Sequence, residues 1–129
     1  MPPVRPERAR ALLPRVDPAK LLRGRPIGLR DGALLALLAA GLNAKEICGL
    51  QASAITMVRG SLLVTVRRHG VTWRAMLPPD LGARLLAWLT DRRLWADSRL
   101  VFTSRQGKLL PTTIHQILYR YQKRNRARR

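Results

Sequence analysis

The chain is predicted to be an α+β domain, mainly helical, with a small three-stranded antiparallel sheet. Three observations predict this. Ala- and Leu-rich helical stretches, Leu29 to Ala40 and Leu81 to Leu94, lie on either side of the middle of the chain. Short runs rich in Val, Leu, Ile and Thr lie in the middle, divided by the turn signals Arg59-Gly60 and His69-Gly70. Pro and Gly punctuate the junctions between them. A length of 129 residues suits one domain with a real core, and an apolar fraction of 47% argues against disorder along the whole chain.

Residues 1–28 form a Pro- and Arg-rich lead-in. Pro6 followed by Glu7 to Leu13 suits a short helix with proline in its first turn. Asp17 to Leu22 is expected to form a second short helix capped by Asp17, and Gly24 to Gly28 a loop. Leu29 to Ala40 is apolar nearly all round and should be a central buried helix, with Gly41 as its C-terminal cap. Asn43 can cap a following helix, Ala44 to Leu50, with Glu46 at the capping-box position. Ile55 to Val58, Leu62 to Val66 and Val71 to Leu77 read as an antiparallel meander ended by Pro78-Pro79. Asp80 is expected to cap a helix over Leu81 to Leu94. Leu81, Leu85, Trp88 and Leu89 mark its core face, and Leu94 and Trp95 close that layer. Leu100 to Phe102 is a short buried run, Arg105 to Lys108 a turn, and Pro111-Thr112-Thr113 opens a last helix to about Lys123. The basic tail 124–129 is expected to be flexible, which leaves a single domain over 1–129.

Charge narrows the function. Lys and Arg number 25 against 7 acids, a net +18, far beyond what solubility requires. No acid follows Asp97, whereas nine basic residues do. Such a balance calls for a polyanion, with nucleic acid, double-stranded DNA first, as the leading partner and an anionic membrane surface or a ribosomal or acidic-protein partner as rivals. Cys48 stands alone in an apolar stretch, so it forms no internal disulfide and reads as a small buried hydrophobe. His69 and His115 lack Cys or His partners at metal-ligand spacing, so neither a metal nor another cofactor is expected. The longest apolar run, Gly32 to Leu42, is too short to span a bilayer and lies too far in for an ordinary signal peptide. No membrane role is expected, and the default location is cytoplasmic.

Two places concentrate residues suited to DNA. On the last helix, Ile114, Ile117, Leu118 and Tyr121 form an apolar stripe. Thr113, Gln116, Arg120 and Lys123 share another face, with Thr112 before them and Arg124 after. Gln and Arg can read base edges, while Thr and Lys more often position phosphates. The same pattern also suits an ordinary solvated face. The second place is the hairpin, with Arg67, Arg68, His69 and the nearby Arg74. These suit phosphate contacts, or equally a charged turn that protects a sheet edge.

The order of motifs resembles the catalytic domain of tyrosine recombinases, the phage-integrase family. The landmarks are Arg30-Asp31, the apolar helix, Gly41-Leu42, then Glu46 and Leu50. Ala75-Met76-Leu77-Pro78 resembles the family's strand end, Leu100-Val101-Phe102-Thr103 its Leu-Phe segment, and Thr112-Thr113 its Ser- or Thr-opened helix. The resemblance runs from about Pro6 to Lys123 and implies a DNA-handling fold whose last helix faces the major groove. It also implies that the chemistry is missing. Asn43 stands where the family places its first catalytic arginine, and Arg67-Arg68-His69-Gly70 where the hairpin carries a catalytic lysine. No His-x-x-Arg box is present, and Tyr119 and Tyr121 lie near none. Phosphoryl transfer needs cationic donors on the developing charge, and a neutral Asn cannot supply one. The expectation is therefore a truncated, catalytically inactive, recombinase-like DNA-binding protein of a prokaryotic mobile element, nucleoid-associated when bound. Two further readings stay open: a module that modulates a full-length recombinase or pairs with a second copy of itself, and a split recombinase that needs a partner.

Overall fold

The computed structural model describes residues 5–93, 98–104 and 107–127, the last four of these by backbone alone. Helix α1 (Pro6–Leu12) continues into a 3-10 turn (Leu13–Arg15). Helices α2 (Ile27–Ala39) and α3 (Ala44–Cys48) follow. Strands β1 (Ile55–Val58), β2 (Ser61–Arg68) and β3 (Val71–Met76) form the antiparallel sheet β1-β2-β3. Helix α4 (Pro79–Arg92), a small hairpin of β4 (Thr103–Ser104) and β5 (Gly107–Lys108), and helix α5 (Pro111–Ala127) complete the order. The α+β class and the three-stranded meander are as the sequence predicts.

Helix α2 is the hub. Ala33 to Leu38 are all buried, because a helix apolar on every side must be covered on every side. It packs along α4 and α1. Leu81, Leu85 and Trp88 supply the buried face of α4, with Leu89 half-buried beside them. Trp88 stacks on buried Phe102 at 5.9 Å between centroids and donates its indole N–H to the Val101 carbonyl at 2.9 Å. Arg92 is buried at the end of α4 and donates to the carbonyls of Ser98 and Leu100, at 2.8 and 2.6 Å, which ties that end down. The expected contributions of Leu94 and Trp95 lie outside the described residues.

Helix α5 is fixed to this hub by a buried polar contact. Tyr121 donates its phenolic O–H to Asp31 Oδ2 at 2.6 Å, and Arg30 pairs with Asp31 Oδ1 at 2.9 Å. Asp31 is only 3% exposed, so its charge depends on these partners. Ile114, Ile117 and Leu118 bury the rest of the expected stripe.

Three local expectations differ. Asp17 to Leu22 is a single turn rather than a helix. Asp17 Oδ1 accepts the Ala19 N–H at 2.9 Å, and the chain doubles back at Leu22–Arg25. This return lays the start of α2 directly under the turn. The Gly28 N–H reaches the Lys20 carbonyl, and a Cβ on Gly28 would sit 1.9 Å from the Asp17 carbonyl oxygen. Asp80 does not cap α4. Pro78 holds that position, and the Asp80 carboxylate pairs instead with Arg10 at 2.9 Å. Finally, α5 runs past Lys123 to Ala127, so regular backbone extends into the segment expected to be a tail.

Candidate nucleic-acid interface

The turn between α2 and α3 is built by glycine and a reciprocal cap. Gly41 has φ of +107°, which a side chain would strain, and a Cβ there would meet the Trp73 ring at 3.4 Å. Asn43 Oδ1 accepts the Glu46 N–H at 2.8 Å, while Glu46 Oε1 accepts the Asn43 N–H at 2.9 Å. This is the expected capping box, and it commits the Asn43 side chain to holding α3.

Arg68 closes the turn from the sheet side. Its Nε donates to Glu46 Oε2 at 3.0 Å, and its Nη2 to Glu46 Oε1 at 2.6 Å and to the Gly41 carbonyl at 3.0 Å. The guanidinium lies 4.2 Å from the centroid of the Trp73 ring, a cation–π contact. Burial pushes the Glu46 carboxyl up. The Arg68 hydrogen bond, the Asn43 N–H and the charges of Arg68 and His69 outweigh it and hold Glu46 below its ordinary value. The Glu46 hydrogen bond likewise raises Arg68. Arg68, taken from sequence as a phosphate contact, is thus engaged as a latch between hairpin and helix pair.

Strand register separates Arg68 from its neighbours. Residues opposite each other share a face, so Val64, Val66 and Arg68 lie with Ala75 and Trp73 on the core side. Arg67 and Arg74 fall on the outer side and are exposed, as is His69 at the tip. Arg67 donates Nη2 to the Gly70 carbonyl at 2.9 Å, and His69 and Gly70 both take positive φ to close the turn.

On α5, Thr112, Gln116, Arg120 and Lys123 are exposed along one side, while Thr113 is half-buried. His115 is half-buried, and Tyr119 is 61% exposed among the polar residues. The side chain of Arg124 lies outside the described residues. The structure therefore brings Thr112, Gln116, Arg120 and Lys123 together, adds Tyr119, and keeps the hairpin pair Arg67 and Arg74 on the sheet. Sequence reasoning missed the Arg68–Glu46–Trp73 latch. The strand parity that Arg68 shares with Val64 and Val66 carries the signal for it.

A shallow cleft of about 240 Å³ lies between Pro18, Gly28 and Leu29 on one side and Asp80, Ala83 and Arg84 on the other. This is below the usual size of a small-molecule site. Its charged groups are also engaged, Asp80 with Arg10 and Arg84 with the carbonyls of Val16 and Leu13. No helix among the described residues is long and apolar enough to cross a membrane.

Solved structures share this fold. XerA recombinase superposes with a TM-score of 0.69 at 21% identity, over 91% of this chain and 40% of its own. XerH site-specific recombinase, bound to difH substrate in a pre-cleavage complex, gives 0.70 at 18% identity, over 92% and 35%. The XerH post-cleavage complex with palindromic difH gives 0.66 at 16%, over 90% and 34%. The fold is that of tyrosine recombinase domains. The chain spans about a third to two fifths of these recombinases. No protein-family model matches it, and no curated protein matches it in sequence.

Proposed function

We propose that this recombinase-like domain binds double-stranded DNA through the exposed face of α5 and does not itself cleave it. The observation that carries the binding is the α5 face. Thr112, Gln116, Tyr119, Arg120 and Lys123 stand out to solvent on a helix whose opposite side is anchored in the core. Gln116 and Arg120 have the donors to read base edges, and Thr112 and Lys123 suit phosphates. The recombinases that share the fold include one bound to its difH substrate, which supports DNA as the ligand. The lack of cleavage rests on Asn43. By the sequence resemblance it stands where the family places its first catalytic arginine, and its side chain is spent on a helix cap. Arg68, which donates to the Gly41 carbonyl of that turn, is paired with Glu46. On this reading the domain serves as an accessory or regulatory factor of a mobile element.

The test is equilibrium binding to duplex DNA by fluorescence anisotropy as salt is raised. Affinity should fall steeply, with a log–log slope of about −0.9 per phosphate neutralised. Arg120→Gln with Lys123→Gln should weaken binding and flatten that slope. Binding that does not change with salt, or that ignores both substitutions, would refute the proposal.

A further inference from the structure

The return between α1 and α2 projects an apolar tip beside the shallow cleft. Leu22 and Arg25 exchange both backbone hydrogen bonds, at 2.9 and 3.0 Å, and Arg23 and Gly24 between them take positive φ. This is a two-residue primed turn, whose shape is set by the backbone itself. Its base is fixed as well. The Lys20 carbonyl accepts the Gly28 N–H at 3.1 Å, and Asp17 Oδ1 accepts the Ala19 N–H at 2.9 Å. On this rigid tip Leu21 is 61% exposed and Leu22 53%, so neither serves the core.

The cleft begins at the foot of the same turn. Pro18 and Gly28 line it from the turn, and Ala83 and Ala87 from α4. Ala83, Leu86, Ala87 and Thr90 stand exposed at helical spacing, so apolar surface continues from the cleft along α4. Around the tip, Arg23 and Arg25 are exposed and Lys20 half-buried. Among the described residues, none of the three has a carboxylate partner. The neighbouring carboxylates are committed, Asp17 to the Ala19 N–H and Asp80 to Arg10.

We propose that this turn and cleft dock an acidic amphipathic helix of a partner protein. Leu21 and Leu22 pack on its apolar face, one of its large apolar side chains enters the cleft, and its carboxylates meet Lys20, Arg23 and Arg25. A cleft of about 240 Å³ suits a single anchoring side chain of the kind that dominates protein interfaces. The uncompensated cations set the sign of the partner's charge. A second copy of the chain brings another +18 and is repelled. A phosphate backbone has no use for paired leucines or an apolar recess. A bilayer can take the convex leucine tip but does not fill the recess beside it. A helix with apolar anchors at one-turn spacing does both. The surface shares no residue with the α5 face, so the inference stands independently of the DNA-binding reading.

The probe is a fluorescein-labelled helical peptide with Leu and Trp along one face and Glu on the other, titrated with the full chain by fluorescence anisotropy. It should bind about tenfold or more tighter than a scrambled peptide of the same composition. Leu21→Ser/Leu22→Ser and Ala87→Gln should each weaken it by about tenfold. Arg23→Asn/Arg25→Gln should reduce the salt dependence of binding. Arg120→Gln/Lys123→Gln should leave peptide affinity unchanged. All these positions are exposed, so folding is retained, and circular dichroism checks each variant. No binding of the peptide, equal affinity for the scrambled peptide, or affinity indifferent to both the leucine pair and Ala87→Gln overturns the proposal. Leucine-dependent binding to phosphatidylglycerol vesicles without peptide binding would assign the tip to a lipid surface and overturn it. A leucine-dependent dimer of the chain alone in sedimentation equilibrium would assign the surface to a second copy and do the same.

Discussion

The two tyrosines of α5 lie two residues apart, and only one of them should lose stability with its hydroxyl. Tyr121 is buried and donates at 2.6 Å to Asp31 Oδ2, whereas Tyr119 is 61% exposed. Tyr121→Phe keeps the ring and opens almost no cavity, so the loss is confined to the hydrogen bond. A bond to a charged acceptor is worth about 1.5–3 kcal/mol, and the Asp31 oxygen it served sits in a residue only 3% exposed. Arg30 still holds Oδ1, so the carboxylate keeps a partner and the higher costs of an orphaned buried charge do not apply. The expected loss is therefore about 2 kcal/mol. With a urea dependence of about 2 kcal/mol per M, the unfolding midpoint should fall by about 1 M. Tyr119→Phe should stay within about 0.5 kcal/mol of the parent. Urea unfolding followed by tryptophan fluorescence reads both. Equal midpoints for the two variants would refute the claim that the Tyr121–Asp31 bond anchors α5 to α2.

Other outcomes follow from the same geometry. Gly28→Ala should destabilise by about 2–3 kcal/mol in the same assay, because its Cβ would meet a backbone carbonyl at 1.9 Å that cannot swing aside. A Gly28→Ala protein as stable as the parent would contradict the close approach of α2 to the Asp17 turn. Glu46→Gln should cost about 1–2 kcal/mol at neutral pH by weakening the latch. Glu46 has a lowered pKa in the folded state, so its contribution is fully present above the ordinary value of 4.5 and is lost as pH falls through the lowered folded value. The stability difference between parent and Glu46→Gln should therefore shrink below about pH 4.5. A difference that grows on acidification would reverse the assignment.

Much of the fold was legible because it rests on local chemistry. The Gly41 turn and the Asn43–Glu46 capping box are written in adjacent residues, and both form as their types dictate. The hairpin turns at Arg59-Gly60 and His69-Gly70 are likewise local, with positive φ at all four residues. The misses are long-range. Asp17 has the side chain of a helix cap, yet the clash-free slot over Gly28 requires the chain to turn back instead. Asp80 stands two residues past the N-cap Pro78, and its partner Arg10 is 70 residues away. On the candidate interface, the α5 face followed from helical spacing. Arg68 was grouped with Arg67 because they are adjacent, although in a strand adjacency means opposite faces. Its partner Glu46 is 22 residues distant, and no local pattern connects the two.

The central claim is that this domain holds duplex DNA without cutting it. The direct measurement incubates the protein with a nicked suicide duplex and resolves the mixture on native and denaturing gels. The account predicts a shifted species on the native gel that salt disperses, and free DNA alone on the denaturing gel. A denaturation-resistant protein–DNA adduct that disappears in Tyr119→Phe or Tyr121→Phe would contradict it.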